Sequence, residues 1–370
     1  MNTLPPTMKA AVLGQIGAPL RLSELALPVP GPGQVLVRVA AAGLNPLDTK
    51  IRAGSAGHAR HPLPAVLGID LAGTVVALGP DVDGLRIGDA VYGMTGGVGG
   101  VQGSLAEYAA VDAALLAPKP KDLSMREAAA LPLGFITAYE GLVDRAHVHA
   151  GQRVLVHGGA GGVGHLAVQL ARARGAQVFA TGSARQKSMI EGYGATAIDY
   201  GTTPVADYVQ AHTGGEGFDV IYDTVGGATL DASFEAVRPY HGHVVSALGW
   251  GTHALAPLSF RAATYSGVFT LRPLLTGQGR AHHGEILREA TRLADLGLLR
   301  THLDPCRFAL AEAEQAYQLI ENAAATGKVV VDVAGGRHKA GIVVERGDSN
   351  NDRIEPSRWT IRRLPQWPQK

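Results

Sequence analysis

The sequence predicts an α/β protein in two parts, a mostly-β region followed by a doubly wound parallel sheet. Three observations predict it. An apolar segment, Val154-Leu155-Val156-His157, runs straight into Gly158-Gly159-Ala160-Gly161-Gly162-Val163-Gly164, and a helical pattern follows from His165 to about Arg174. Between residues 153 and 296, strand-like and helix-like segments alternate, as they do where helices carry the chain between parallel strands. Before about Ser124 the chain instead reads as short strands separated by Pro-Gly and glycine-rich turns.

Taken in order, strands are expected at 8–13, 34–42, 73–78 and 106–111. Helices follow at 125–131 and 135–143, with Pro132 and Gly134 interrupting them. The alternating stretch gives strand 153–157, helix 165–174, strand 177–181, helix 185–193 and a short strand at 197–200. It continues with helix 205–213, strand 219–223, helix 230–237 and strand 243–247, and a strand at 266–271 and a helix at 286–296 complete it. Segments 307–310, 312–322 and 329–333 read as strand, helix and strand returning to the first part. The expected domains are 1–128, 129–298 and the return at 299–336. Residues 337–370 mix Arg, Asp, Ser, Asn and Pro without a sustained period and read as a weakly ordered, slightly basic tail. No internal repeat is visible.

Composition narrows the function classes. The chain has 370 residues, 46% of them hydrophobic, which suits two domains with a sizeable core. A net charge of +1 gives no electrostatic reason to expect nucleic acid as the main partner. One cysteine, Cys306, excludes an internal disulfide framework and a cysteine-rich zinc cluster, and it suits a reducing cytoplasm. The N-terminal segment is broken by Pro5, Pro6, Gly14 and Gly17, so no secretory signal is expected. No apolar run suggests a membrane span.

Gly159, Gly161 and Gly164 fit the G-x-G-x-x-G spacing. The first permits a tight turn, the second lets backbone approach a pyrophosphate, and the third lets helix and strand pack closely. The phosphates would sit at a helix N-terminus, where free N–H groups and the dipole favour negative charge. Ala160, Gly162 and Val163 belong to the same loop. An NAD site carries a carboxylate about 20 residues beyond the glycines for the ribose 2′-hydroxyl. Here the second strand ends Ala180-Thr181-Gly182-Ser183-Ala184-Arg185-Gln186-Lys187, with no carboxylate. Ser183, Arg185 and Lys187 suit a 2′-phosphate, so NADPH is expected over NADH.

The layout from Met8 to Val333 resembles the medium-chain dehydrogenase/reductase superfamily, and within it the zinc-independent, zeta-crystallin-like quinone oxidoreductases. The resemblance is carried by Asn45-Pro46-Leu47-Asp48, Gly68-Ile69-Asp70-Leu71-Ala72-Gly73, Gly103-Ser104-Leu105-Ala106-Glu107-Tyr108, the loop 158–164 and Gly327-Lys328-Val329-Val330. It implies a GroES-like catalytic domain, a Rossmann cofactor domain and an active site between them. Asn45 stands where zinc-dependent relatives use cysteine, and Ile69 where they use histidine. Neither replaces the lost ligand. His58, His61 and Asp70 form the one tempting alternative cluster, and no metal is expected there. Without a Lewis acid, hydride transfer to an electron-poor acceptor is favoured, a quinone or an α,β-unsaturated carbonyl.

The resemblance places Asn45 at the substrate end of the cleft, where its amide would donate to the acceptor oxygen. Asp48 would orient neighbours. Lys50 stands where many relatives carry tyrosine. It would stabilise an enolate or donate a proton, or it is an ordinary surface lysine with bulk water as the source. By the same resemblance Thr137 lies near the nicotinamide, Tyr200 flanks the 2′-phosphate, and Val225 and Gly226 lie beside the ribose. Ala247, Leu248, Phe269 and Thr270 stand at the ends of the fifth and sixth strands, and Lys328 approaches the cofactor or caps the cleft. The sixth-strand segment 264–271 is apolar and β-prone, and the resemblance implies that this edge pairs with that of a second copy in a homodimer. Two other readings stand beside the reductase: a zinc-type alcohol dehydrogenase, and an NADPH-binding sensor or structural protein with little catalysis.

Overall fold

The computed structural model describes residues 4–333. The expected tail at 337–370 and the last residues of the 299–336 segment lie outside that range.

The N-terminal part is built on β1 (Thr7–Leu13), β2 (Arg21–Ala26), β3 (Gln34–Gly43), β4 (Ala65–Val66), β5 (Asp70–Leu78), β6 (Ala90–Met94), β7 (Tyr108–Asp112) and β8 (Leu116–Pro118). A short helix, α1 (Pro46–Arg52), follows β3 directly. β3 is mostly buried and pairs antiparallel with both β5 and β7. Its largely apolar sequence QVLVRVAAAG, broken only by Gln34 at the start and the exposed Arg38, suits such a central position.

α2 (Met125–Ala129) and α3 (Pro132–Tyr139) lead into the second part. There β9 (Arg153–His157), β10 (Gln177–Gly182), β11 (Thr196–Asp199), β12 (Val220–Asp223), β13 (His243–Ser246) and β14 (Thr264–Gly267) form one parallel sheet in the order β11-β10-β9-β12-β13-β14. The chain direction across the sheet reverses between β9 and β12, which opens a crevice at their carboxyl ends. Alternate residues supply two faces. Val154, Val156, Ala180 and Tyr222 enter the larger core, and Leu155, Phe179, Ile221 and Val244 enter a second cluster on the opposite face.

The helices of this part are α4 (Gly164–Ala173), α5 (Lys187–Gly192), α6 (Val205–Thr213), α7 (Ala228–Ala236), α8 (Ala256–Phe260), α9 (Arg272–Thr276) and α10 (Arg280–Asp295). α6 starts after Pro204 and stops at Gly214, which takes the left-handed conformation at φ +64. α10 binds the two parts together: Tyr92 Oη of β6 donates to the Leu287 carbonyl at 2.7 Å. Arg280 also pairs with Asp112 at 2.9 Å. The chain then returns through β15 (Phe308–Ala309), α11 (Ala313–Glu321) and β16 (Val330–Asp332), and β16 joins the edge of β3.

Several elements differ from expectation. The sixth strand is 264–267 rather than 266–271, because its ladder with β13 ends at the pair Ser246–Gly267. Phe269 and Thr270 therefore lie beyond the strand, in the turn before α9. Pro132 does not interrupt a helix but begins α3, where its missing N–H costs nothing. The following turn, 140–145, widens to a π-helix. Gly141 there lies under the Tyr222 ring, where a Cβ would come within 2.7 Å of the ring carbons. α10 begins at Arg280, six residues before its expected start, because the polar run Arg280-Ala281-His282-His283 masks a face that buries His283, Ile286 and Leu287. Tyr200 stands one residue past β11.

Candidate functional site

The turn after β9 divides its glycines by task. A Cβ on Gly159 would lie 2.5 Å from the Ala180 Cβ, and one on Gly164 would lie 2.0 Å from the Gly158 carbonyl oxygen. Those two positions exist for close packing. Gly161 and Gly162 are exposed, and a Cβ on Gly162 would meet nothing within 4 Å. Gly162 and Val163 thus present their backbone to the crevice just before α4, and their N–H groups donate to nothing among the described residues. This open cradle of donors at a helix N-terminus fits a diphosphate. His165 braces it from behind, its Nδ1 2.7 Å from the Gly161 carbonyl oxygen. Burial pushes the His165 imidazole down to about 4, so the ring is neutral and donates from Nδ1. His157, at the end of β9, is pushed down to about 4 for the same reason and contacts Thr181 Oγ1 at 3.1 Å.

Next to the ends of β10 and β11 lies a cavity of about 330 Å³ lined by Ser183, Lys187 and Asp199, among others. Ser183 and Lys187 both line it, whereas Arg185 and Tyr200 do not. Asp199 is a carboxylate the sequence reading did not include. Its Oδ1 accepts from Gly201 N–H at 3.0 Å.

On the other side of the switch point, Asp223 organises two strand ends. Its carboxylate accepts from Val225 N–H at 3.0 Å, from Gly226 N–H at 2.9 Å and from Ser246 Oγ at 2.7 Å. Ser246 Oγ in turn accepts from Leu248 N–H at 3.1 Å. One buried carboxylate therefore sets the loop at 225–226 and the loop at 247–248. Thr137 and Thr270 are both buried and their hydroxyls lie 2.9 Å apart, while Thr137 Oγ1 also donates to the Leu133 carbonyl. Thr270 reaches that position only because the chain has left β14 and turned toward α3.

Asn45, Asp48 and Asp70 are buried and meet the largely covered side chain of Lys328 where α1, β5 and the segment leading into β16 converge. Asp48 Oδ2 accepts from Asn45 N–H at 2.8 Å and so supplies the N-terminal cap of α1. That leaves the Asn45 side chain free of capping. Its Nδ2 donates to Asp70 Oδ2 at 2.9 Å, and its Oδ1 accepts from Lys328 Nζ. Lys328 Nζ is also 3.6 Å from Asp70 Oδ2, and Asp70 Oδ1 accepts from Leu133 N–H at 3.0 Å, at the start of α3. Burial pushes Asp48 up to about 7 and leaves its Oδ1 without a partner. Burial also raises Asp70, opposed chiefly by Lys328, and lowers Lys328, opposed chiefly by Asp70. Lys50, on the same short helix, is exposed and has no carboxylate within ion-pairing distance among the described residues. Of the three candidate residues on the acceptor side, Asn45, Asp48 and Lys50, the structure brings Asn45 and Asp48 together, with Lys328 beside them and Lys50 outside.

The motif around Asp70 was visible in sequence, but its partnership with Lys328, 258 positions later, carried no local signal. Ile69 is fully buried and apolar. Among the described residues no three His, Cys, Asp or Glu side chains are grouped to hold a metal ion.

Comparison with known proteins yields two family matches. Residues 31–121 match the alcohol dehydrogenase GroES-like domain, and residues 193–331 match the zinc-binding dehydrogenase family. The chain is 38% identical over 340 residues to 2-methylene-furan-3-one reductase of Solanum lycopersicum, covering 89% of this chain and 80% of that one. It is 36% identical to NADPH-dependent alkenal/one oxidoreductase, chloroplastic, of Arabidopsis thaliana, with the same coverage of each chain. It is also 34% identical to the spectinabilin polyketide synthase system protein NorB of Streptomyces orinoci, where 92% of this chain matches but only 15% of that much longer one. In structure it is similar to an alcohol dehydrogenase superfamily protein from Novosphingobium aromaticivorans, with 58% identity and a TM-score of 0.87, covering 88% of this chain and 100% of that one.

Proposed function

The chain belongs to the medium-chain dehydrogenase/reductase superfamily, in its quinone oxidoreductase-like branch, and from that premise we propose that it is a zinc-independent, NADPH-dependent reductase of quinones and α,β-unsaturated carbonyl compounds. The observation that carries the reading is the Asn45 amide, held between Asp70 and Lys328. Where zinc-dependent relatives use a cysteine, this chain has an amide oriented by a carboxylate and an ammonium, beside the apolar Ile69. Such a site activates an acceptor by hydrogen bonding and charge rather than by Lewis acid, which is sufficient for an acceptor that is already electron-poor.

In this reading residues 129–298 hold the cofactor and residues 1–128 with 299–336 shape the acceptor side. The open backbone at Ala160–Val163, with Gly159, Gly161 and Gly164 setting the turn, would carry the diphosphate. Ser183 and Lys187 would meet the 2′-phosphate, with Arg185 and Tyr200 as outer flanks. Val225 and Gly226 would flank the ribose, and Ala247, Leu248, Phe269, Thr270 and Thr137 the nicotinamide. When bound, NADPH supplies a hydride. Asn45 Nδ2 has a second N–H to donate to the acceptor oxygen as negative charge develops there, and the nearby Lys328 ammonium favours that charge. Asp48 holds the start of α1, and so the backbone of Asn45, in place. The completing proton comes from Lys50 or from bulk water.

β14 is an edge strand whose Thr264, Tyr265 and Gly267 are exposed. It offers an unpaired ladder to a second copy, so the protein is a homodimer in this reading. No helix among the described residues is long and apolar enough to cross a membrane, and the lone cysteine suits a cytoplasmic location.

The test is NADPH oxidation at 340 nm with 1,4-benzoquinone, 9,10-phenanthrenequinone, an alkenal and a simple ketone, with NADH and a chelator as controls. Chelator-insensitive turnover of quinone or alkenal, faster with NADPH, is expected. Turnover of the ketone alone, abolished by the chelator, would overturn the proposal.

A further inference from the structure

Gln169 is a buried amide in the middle of an apolar helix face. Residues 164–171 of α4 are all buried, and apart from His165 and Gln169 that run is apolar or glycine. An amide placed there is costly unless both of its ends are paired. Gln169 uses its whole capacity. Its Nε2 donates to the His165 carbonyl at 2.9 Å and to the Arg300 carbonyl at 3.0 Å, and its Oε1 accepts from Arg300 N–H at 2.9 Å. The two bonds to Arg300 grip the N–H and C=O of one residue, as a neighbouring β-strand would. The Arg300 side chain adds to the grip. Its guanidinium donates to the Gly192 carbonyl at 2.6 Å and lies 5.2 Å from the centre of the Tyr193 ring.

This grip falls where the chain crosses from the parallel-sheet part back to the N-terminal part. A few residues on, the crossover runs against the segment that carries Lys328. Leu303 and Lys328 form a parallel bridge, in which Lys328 N–H donates to the His302 carbonyl at 2.8 Å and Asp304 N–H donates to the Lys328 carbonyl at 3.0 Å. The two backbones lie so close that a Cβ on Gly327 would come within 2.8 Å of the His302 carbonyl oxygen. The buried Asp304 carboxylate closes the arrangement. It accepts from Cys306 N–H at 2.9 Å, from Thr326 N–H at 2.8 Å and from Thr326 Oγ1 at 3.2 Å. The Lys328 backbone is therefore fixed relative to Arg300, and Arg300 relative to α4. A lysine needs such fixing, because a flexible four-carbon stem separates its ammonium from its backbone. Here that ammonium must meet both Asn45 and Asp70.

We propose that Gln169 and Arg300 are positioning residues for Lys328, forming a strap through which α4 sets the place of the ammonium on the acceptor side. Hydrogen bonds and short stretches of backbone then run without a gap from the Gly161 carbonyl in the glycine turn, through His165, Gln169, Arg300 and residues 302–304, to Lys328 and Asn45. The role rests on the reductase reading for what Lys328 does, but not for where Lys328 sits. No side chain of the strap has to touch cofactor or acceptor for its loss to be felt in the reaction, since a small misplacement of a reacting or stabilising group is costly.

The test pairs a chemical label with kinetics. Acetic anhydride modifies lysine amines, and peptide mass spectrometry reads the rate at Lys328. Lys119, whose ammonium donates to the Pro120 carbonyl at 2.6 Å in the N-terminal part, reports general loosening. In Gln169→Leu the labelling rate at Lys328 is expected to rise about 10-fold over wild type, the equivalent of one buried hydrogen bond, with Lys119 unchanged. Arg300→Ala keeps the backbone grip and should show a smaller rise, and it serves alone should Gln169→Leu fail to fold. With 9,10-phenanthrenequinone, kcat is expected to fall about 10-fold in Gln169→Leu. Added to Lys328→Met, the same substitution should cost nothing further, because it acts through Lys328. An unchanged rate at Lys328, an equal rise at Lys119, or losses that add in the double variant would overturn the strap. If wild type reduces no acceptor while the labelling at Lys328 still rises in the variants, the reductase reading fails and the positioning of Lys328 stands.

Discussion

Asn45 Nδ2 lies 2.9 Å from Asp70 Oδ2, and with Lys328 on its other side the amide has one orientation only. Rotating it by half a turn would set its carbonyl against a carboxylate and its NH₂ against an ammonium. Asn45→Ala removes the donor proposed to meet the acceptor oxygen, and kcat is expected to fall about 100-fold, the scale seen when one oxyanion donor is lost. NADPH affinity should be unchanged, because the amide's hydrogen bonds go to Asp70 and Lys328 and not to the glycine loop. Asp70→Asn keeps the donor but removes the group that orients it, so a smaller loss of kcat is expected. Steady-state kinetics with NADPH binding measured separately checks both. A rise in KM for NADPH with kcat intact would place Asn45 outside the chemistry.

Asp48 makes the same cluster sensitive to pH. Its carboxyl keeps its proton up to about 7 in the folded chain, against an ordinary 3.8. Between those values the folded state holds a proton that the unfolded state has released. The associated stability is therefore complete below 3.8 and is lost as pH rises through about 7. The gap corresponds to on the order of 4 kcal/mol at full effect. Asp48→Asn retains an oxygen to accept the Asn45 N–H and cannot ionise. Urea unfolding is expected to show this variant gaining on wild type between pH 5 and pH 8. A constant difference across that range would mean that Asp48 is not held protonated.

The glycine loop separates folding from binding. Gly164→Ala would put a Cβ 2.0 Å from the Gly158 carbonyl oxygen, forcing α4 away from β9, and a loss of about 1–3 kcal/mol is expected. Gly162→Ala meets nothing within 4 Å and should melt like wild type. Its methyl group would instead stand where the proposed diphosphate approaches the backbone, so KM for NADPH should rise. Thermal melts and cofactor titrations of the two variants should show opposite patterns. Equal NADPH affinity for Gly162→Ala and wild type would move the diphosphate off this loop.

The sequence made some of this legible because the signals were local. The strand, turn and helix at 154–173 follow from glycine spacing beside an apolar run, and helix 205–213 is bounded by Pro204 and Gly214, which act on their immediate neighbours. The polar cluster was legible only in fragments. Asn45, Asp48, Asp70 and Lys328 each sat in a readable motif, but the contact of Asn45 with Lys328 spans 283 positions and follows from β16 returning beside β3. Local pattern also misled. The apolar run after Gly267 looked like more strand, yet the ladder stops where β13 stops, and this frees Thr270 for Thr137. Asp223 is one acidic residue at the end of an apolar strand, and nothing in its neighbours announces that it holds two loops.

Cofactor choice can be tested at the cavity between β10 and β11. Ser183 and Lys187 face it, and so does Asp199, whose charge opposes a phosphate. Lys187 pairs only loosely with Glu191, at 3.9 Å on an exposed surface, and is free to turn toward an anion. Lys187→Glu would set two carboxylates around the space proposed for the 2′-phosphate. The ratio of kcat/KM for NADPH over NADH is then expected to fall about 10- to 100-fold, mostly through KM for NADPH, with kcat for NADH unaffected by the distant charge. Arg185→Glu should move the ratio less, because Arg185 is exposed and does not line the cavity. Equal effects of the two substitutions would indicate general surface charge rather than a phosphate seat, and no effect of Lys187→Glu would place the 2′-phosphate elsewhere.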